Sequence, residues 1–164
     1  MSCRYFVTEL VLVVLIYETL SRNEIMSKRI GVINDTHIPF HDVKAVNLVL
    51  DIFQDIKIDK LILNGDIADF INLSLHGPKD PEIQESIQDE INAVLDFLKD
   101  LRRRFLKIPI VFLFGNHEDR LDRWIMKNCP SFWNFLRLDK MLQLDELNIE
   151  WYPYNYEYQV FNSN

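Results

Sequence analysis

The chain has 164 residues, enough for one domain with a substantial core, and neither repeats nor low-complexity tracts interrupt it. Its composition, 48% hydrophobic and 26% charged, is that of a soluble globular protein. The formal net charge of −7 argues against a nonspecific nucleic-acid binder, whose surface is usually basic. A nuclease is not excluded, because bound divalent metals change the charge at the site itself. Cys3 and Cys129 are far apart and lack metal-ligand spacing, so they read as free thiols in a reducing compartment, with the cytoplasm expected.

Leu10 to Ile16 is an unbroken apolar run behind Arg4, but it is far short of the roughly 20 residues that span a bilayer. Glu9 interrupts the wider run and Tyr17-Glu18-Thr19-Leu20 offers no small-residue cleavage site, so a targeting segment is the least favoured reading. An N-terminal packing helix is a second. The favoured one takes residues 1–27 as an extension ahead of a natural start near Met26-Ser27-Lys28.

From Lys28 the pattern becomes regular. A strand over about Arg29 to Asn34 leads into Asp35-Thr36-His37. A helix follows, with Val46, Val49, Leu50 and Phe53 at helical spacing. A second strand, Lys60 to Asn64, delivers Gly65-Asp66, and Phe70 to Pro81, with Gly77, Pro78 and Pro81, reads as a loop. The clearest helix spans about Glu82 to Phe105, with Ile83, Ile87, Ile91, Val94, Leu98, Leu101 and Phe105 in one apolar stripe. Arg102, Arg103, Arg104 and Lys107 close it. Positive charge there complements the helix dipole, a reading preferred over phosphate contact. A third strand, Ile108 to Phe114, enters Gly115-Asn116-His117-Glu118. A helix is expected over Asp119 to Lys127, one or two short helices over Ser131 to Leu147, and strands around Pro153 between Asn148 and Phe161. Strands alternating with helices imply right-handed crossovers and a mostly parallel sheet, an α/β fold.

Three apolar strands thus end in polar loops that emerge on one sheet edge, where open α/β sheets place their ligands. Asp35 and His37, two apart, can reach one ion, and the two oxygens of Asp66 can bridge to a second, for which Asn116 offers a neutral carbonyl. Mixed oxygen and imidazole ligation suits Mn, Fe, Zn or Ni better than Ca or Mg. Two such ions activate water and clamp an in-line phosphoryl displacement. His117 would project toward the substrate, to stabilise phosphoryl oxygens or protonate the leaving alkoxide, with Asp69 fixing its imidazole and keeping it charged. Each piece alone is weak; three in this order, each behind an apolar strand, are a strong joint signal.

The three loops together resemble the signature of the calcineurin-like metallophosphoesterase superfamily: Asp-x-His, Gly-Asp-x-x-Asp and Gly-Asn-His-Glu, here Asp35-Thr36-His37, Gly65 to Asp69 and Gly115 to Glu118. The resemblance covers about Lys28 to Arg123. It implies a four-layer αββα sandwich and two divalent metal ions, with Asp35, His37 and bridging Asp66 on one and Asn116 on the other. It also implies His117 as catalytic, paired with Asp69, and phosphoester substrates. The family completes its site with later histidine motifs, and no histidine follows His117 in this sequence. The expectation is therefore a metallophosphoesterase domain over 28–164 that stops inside the fold, an incomplete sandwich needing a downstream segment or protein partner to complete its site. Exposed apolar sheet surface, with poor solubility or association, would follow.

Phe70-Ile71 stands where the protein Ser/Thr phosphatase branch carries Arg-Gly, which disfavours that branch and leaves a nucleic-acid phosphodiester or a small phosphoester. Arg120 and Arg123 could grip a phosphate, but ion pairing with Asp119 or Asp122 is equally expected. His41 is a further substrate-side candidate, although His41 and His76 fit ordinary loop residues better. Tyr152, Tyr154, Tyr156 and Tyr158 suit base stacking or, more commonly, strand packing. The alternative to an enzyme is a noncatalytic scaffold that retains the fold.

Overall fold

The computed structural model describes residues 17–21, 24–73 and 86–160. It contains one five-stranded sheet in the order β1 (Tyr17–Ser21), β2 (Glu24–Ile33), β3 (Lys60–Asn64), β4 (Ile110–Leu113), β5 (Ile149–Tyr152). The first pair is antiparallel and the rest run parallel. Between them lie helices α1 (Val43–Asp55), α2 (Ile87–Arg104), α3 (Asn116–Asn128), α4 (Trp133–Leu136) and α5 (Leu138–Met141). The parallel strands follow one another in sequence order. Right-handed crossovers then bring α1, α2 and α3 to a single face of the sheet.

Period-two alternation sorts the strand residues between two cores. Ile33, Leu61, Leu63, Ile110, Phe112 and Ile149 face the helices, packing with Val46, Leu50 and Phe53 of α1 and with Val94, Leu98 and Leu101 of α2. Ile30, Ile62 and Val111 form a rear cluster, against which Tyr152, Tyr158 and Val160 pack. Being apolar on both faces is what buried parallel strands require. On this rear face Ile30, Ile62 and Val111 are buried, while Val32 and Leu113 are only partly covered.

Several boundaries differ from expectation. β2 begins at Glu24 and pairs with a strand at Tyr17–Ser21, so the sheet reaches upstream of position 28. The apolar run Leu10 to Ile16 lies outside the described residues. So do Glu82, Ile83 and His76; within the described residues α2 starts at Ile87, where the Ser86 hydroxyl accepts from the Asp89 amide at 3.2 Å. After β5 no further strand forms among the described residues. Pro153 has no N–H to give a ladder, and a turn closes behind it through Tyr156 N–H to the Pro153 carbonyl, 3.1 Å. Tyr158 and Val160 instead fold against the rear cluster.

The basic run at the end of α2 is structural. Arg102 donates to the carbonyls of Phe105, Ile108, Leu147 and Asn148, tying the entrances of β4 and β5 to the helix. Arg104 pairs with Asp100 at 2.7 Å and Asp51 at 2.8 Å. Both arginines lie at the amino edge of the parallel strands, opposite the motif loops. Among the described residues no helix is long and apolar enough to cross a membrane.

Candidate metal centre

β2, β3 and β4 are adjacent, so their carboxyl-end loops emerge side by side, and the β2 and β3 loops stay zipped beyond the strands. Asp35 N–H donates to the Gly65 carbonyl (3.1 Å), His37 to Asp66 (3.0 Å) and Ile38 to Ile67 (2.7 Å). Thr36 is fully buried and its hydroxyl donates to the Ile67 carbonyl, 3.1 Å, while its neighbours Asp35 and His37 stay half-buried. Asp35, His37 and Asp66 all adopt left-handed backbone, with φ of 52°, 51° and 52°. Three non-glycine residues in that sparsely populated region, clustered at one edge, mark a site held by its surroundings.

The β3 and β4 loops meet where neither has a side chain. A Cβ at Gly65 would lie 2.9 Å from the Gly115 Cα, and one at Gly115 would lie 2.2 Å from Asp66 Oδ1. Asp66 therefore tucks its carboxylate across Gly115, where Oδ1 accepts the His117 amide at 3.0 Å. Beneath them Glu118, fully buried, accepts the amides of Gly115 (2.7 Å), Asp66 (3.0 Å) and Ala68 (2.8 Å). Burial pushes its carboxyl up to about 7 against the pull of those amide donors. This role was not read from the sequence, although a Glu three residues after a helix-opening Gly is the capping-box pattern that signals it.

Helix α3 opens at Asn116, three residues earlier than expected, so Asn116 and His117 stand on its first turn. Side-chain atoms of His37, Asp66 and His117 all lie within 4.8 Å of one another, a group that could hold a metal ion. The two imidazoles meet edge to face with centroids 4.5 Å apart. Asp35 lies 3.9 Å from His37 Nε2. Buried within the same cluster, Asp69 Oδ1 has no hydrogen-bond partner. A donor set of two imidazoles and carboxylates with an orphaned buried oxygen fits a borderline transition metal better than a hard cation.

Asp69 is placed differently from expectation. Its carboxylate pairs with His37, Nδ1 to Oδ2 at 3.1 Å, and stands 4.0 Å from His117. What reaches His117 Nδ1 is the Asp69 backbone carbonyl, at 2.7 Å. The Asp69 hydrogen bond raises the His37 pKa above its ordinary value, against burial. His117 is lowered, chiefly by burial, with Arg120 and His37 adding to it and Asp66 opposing. These two directions are opposite: His37 is raised by its Asp69 partner, while His117 is lowered chiefly by burial.

Arg120, one turn along α3, places Nη2 2.8 Å from His117 Nε2 and donates from Nη1 to the Asp69 carbonyl at 3.1 Å. The Nδ1–H tautomer of His117, assigned from these partners, donates to Asp69 and accepts from Arg120. Arg123 pairs with Asp119 at 2.8 Å, one of the two alternatives the sequence left open. His41 stands apart, with its ring 6.3 Å from that of Phe97 on α2.

The family profile described as calcineurin-like phosphoesterase matches residues 28–163. The chain is similar to the Gene 54 protein of Mycobacterium phage L5, 28% identical over 137 residues, which cover 80% of this chain and 53% of the phage protein. The Gene 54 protein of Mycobacterium phage D29 is 29% identical over the same shares of both chains. The chain thus spans about half the length of the curated relatives it matches. No solved structure matches it.

Proposed function

The chain belongs to the calcineurin-like phosphoesterase family, and from that premise we propose that it hydrolyses phosphomono- or phosphodiester bonds at the edge formed by the β2, β3 and β4 loops. The observation that carries the proposal is the convergence of His37, Asp66 and His117 within 4.8 Å, from three loops, at the carboxyl ends of parallel strands. Asp35, His37 and Asp66 would hold one divalent ion, and Asp66 with Asn116 a second. When bound, two such ions supply Lewis acidity, which lowers the pKa of water and neutralises phosphoryl charge.

The chain's own residues do the rest. Asp66 is held by the His117 amide, so a carboxylate that reaches two loops is fixed before any ligand arrives. Arg120 lies over His117 Nε2, where its planar fork can shift onto phosphoryl oxygens and free that nitrogen. As Arg120 leaves, one cause of the lowered His117 pKa goes with it. As water attacks phosphorus and the bond to the leaving alkoxide breaks, the imidazole, having taken a proton on Nε2 from solvent, can pass it to that alkoxide.

The second reading is a scaffold that keeps the fold without turnover. One experiment separates them: elemental mass spectrometry of the purified chain beside Asp66→Ala, together with hydrolysis of bis(p-nitrophenyl) phosphate. Nearly two transition ions per chain with turnover, both lost in Asp66→Ala, is the expected result. No bound ion and no turnover, in this chain and in a longer one, favours the scaffold.

A further inference from the structure

Helix α3 does more than carry His117. With 3.6 residues per turn, His117, Arg120, Arg123, Trp124 and Lys127 fall on one stripe, and the span from His117 to Lys127 is about 15 Å. The adjoining stripe, Leu121 and Ile125, is buried in the core. Along the outer stripe the Arg123 side chain is 64% exposed, Trp124 is 45% exposed and Lys127 is exposed. The acidic neighbours only partly offset this charge. Asp119 pairs with Arg123, but Asp122 turns inward, where it accepts the Leu138 amide beside Asp139 and Arg137. A chain with a net charge of −7 thus keeps a cationic, aromatic track leading straight away from its candidate metal centre.

Resting on the proposed phosphoesterase reading, we infer that this stripe is a substrate track for single-stranded nucleic acid, with the scissile phosphodiester at His117. Arg123 and Lys127 take backbone phosphates, and Trp124 supplies a face on which a base stacks. A small phosphoester would need Arg120 and nothing further along the helix. An exposed tryptophan set between cations is the arrangement that binds single strands by stacking and charge together.

The test uses fluorescence anisotropy of a short labelled oligothymidylate with the full chain, over a series of salt concentrations, beside Arg123→Ala/Lys127→Ala, Trp124→Ala and Trp124→Phe. The double variant should lower the log–log salt slope by roughly 1.4, two phosphates at about 0.7 each. Trp124→Ala should weaken binding about tenfold or more, and Trp124→Phe should recover most of it. Hydrolysis of bis(p-nitrophenyl) phosphate should be unchanged in all three, since none of these side chains reaches the reacting atoms. Indifference of oligonucleotide binding to all three variants would overturn the inference, as would equal competition by inorganic polyphosphate, which has charge but no bases. Should the chain turn over no ester at all, the phosphoesterase reading fails while the binding data still decide whether the track exists.

Discussion

Gly115 carries the tightest contact in the site, because the Asp66 carboxylate occupies the space a Cβ would need, 2.2 Å from Oδ1. Gly115→Ala should therefore push Asp66 off the His117 amide and abolish metal uptake, read by elemental mass spectrometry, while secondary structure by circular dichroism stays close to the parent. Glu118 makes a different prediction. In Glu118→Gln one amide hydrogen pair of the new side chain must face backbone N–H donors that now point at carboxylate oxygens. An unsatisfied buried donor costs about 1–3 kcal/mol, so both thermal stability and metal affinity should fall, the latter by isothermal titration. The glycines and the tight turns were legible in the sequence, since each motif announces a turn after a strand. Which carboxylate faces which imidazole was not. Asp69 pairs with His37 rather than His117 because of how the zipped β2 and β3 loops sit, and chain order does not encode that.

Among the elements, α2 was the most legible, because its apolar stripe repeats at 3.6 residues whatever surrounds it. The start of α3 was missed, because Gly115-Asn116-His117 reads as loop until Glu118 closes back on the Gly115 amide and begins the helix there. Farther along α3, burial pushes Asp122 up to about 6 from 3.8, with the Leu138 amide opposing. A carboxyl raised in the fold favours its protonated form. Its stabilising contribution is fully present below the unfolded pKa near 3.8 and is lost as pH rises through about 6. Asp122→Asn, neutral at every pH, should therefore melt higher than the parent at pH 8, by roughly 2 °C, and the gap should close near pH 4 in differential scanning calorimetry.

For the whole molecule, the rear face of the sheet makes a prediction about solution behaviour. Tyr158 packs on the Ile30, Ile62 and Val111 cluster and holds Lys60, whose ammonium lies 2.5 Å from the phenol oxygen and 5.0 Å from the ring centroid. Tyr158→Ala should uncover that cluster, cost about 2 kcal/mol, roughly 4–8 °C in Tm, and promote association visible by light scattering. Aromatic alternation at the end of the chain suggested a further strand. Tertiary packing instead uses Tyr158 and Val160 as a cover for the sheet, because β5 ends at Tyr152, ahead of Pro153.

Sequence by itself determined the parallel α/β plan, the three motif loops and the family to which they belong. Strand and helix periods, Gly-Asp turns and ligand types are properties of neighbouring residues, and they hold in any context. Only the tertiary structure decided that β2 reaches back to Glu24, that Glu118 ties the β3 and β4 loops, and that Arg102 serves the fold rather than a phosphate. The same holds for Arg120 resting on His117. Each of these depends on groups far apart in the chain being brought within hydrogen-bond range, and only the packed sheet and helices set those distances.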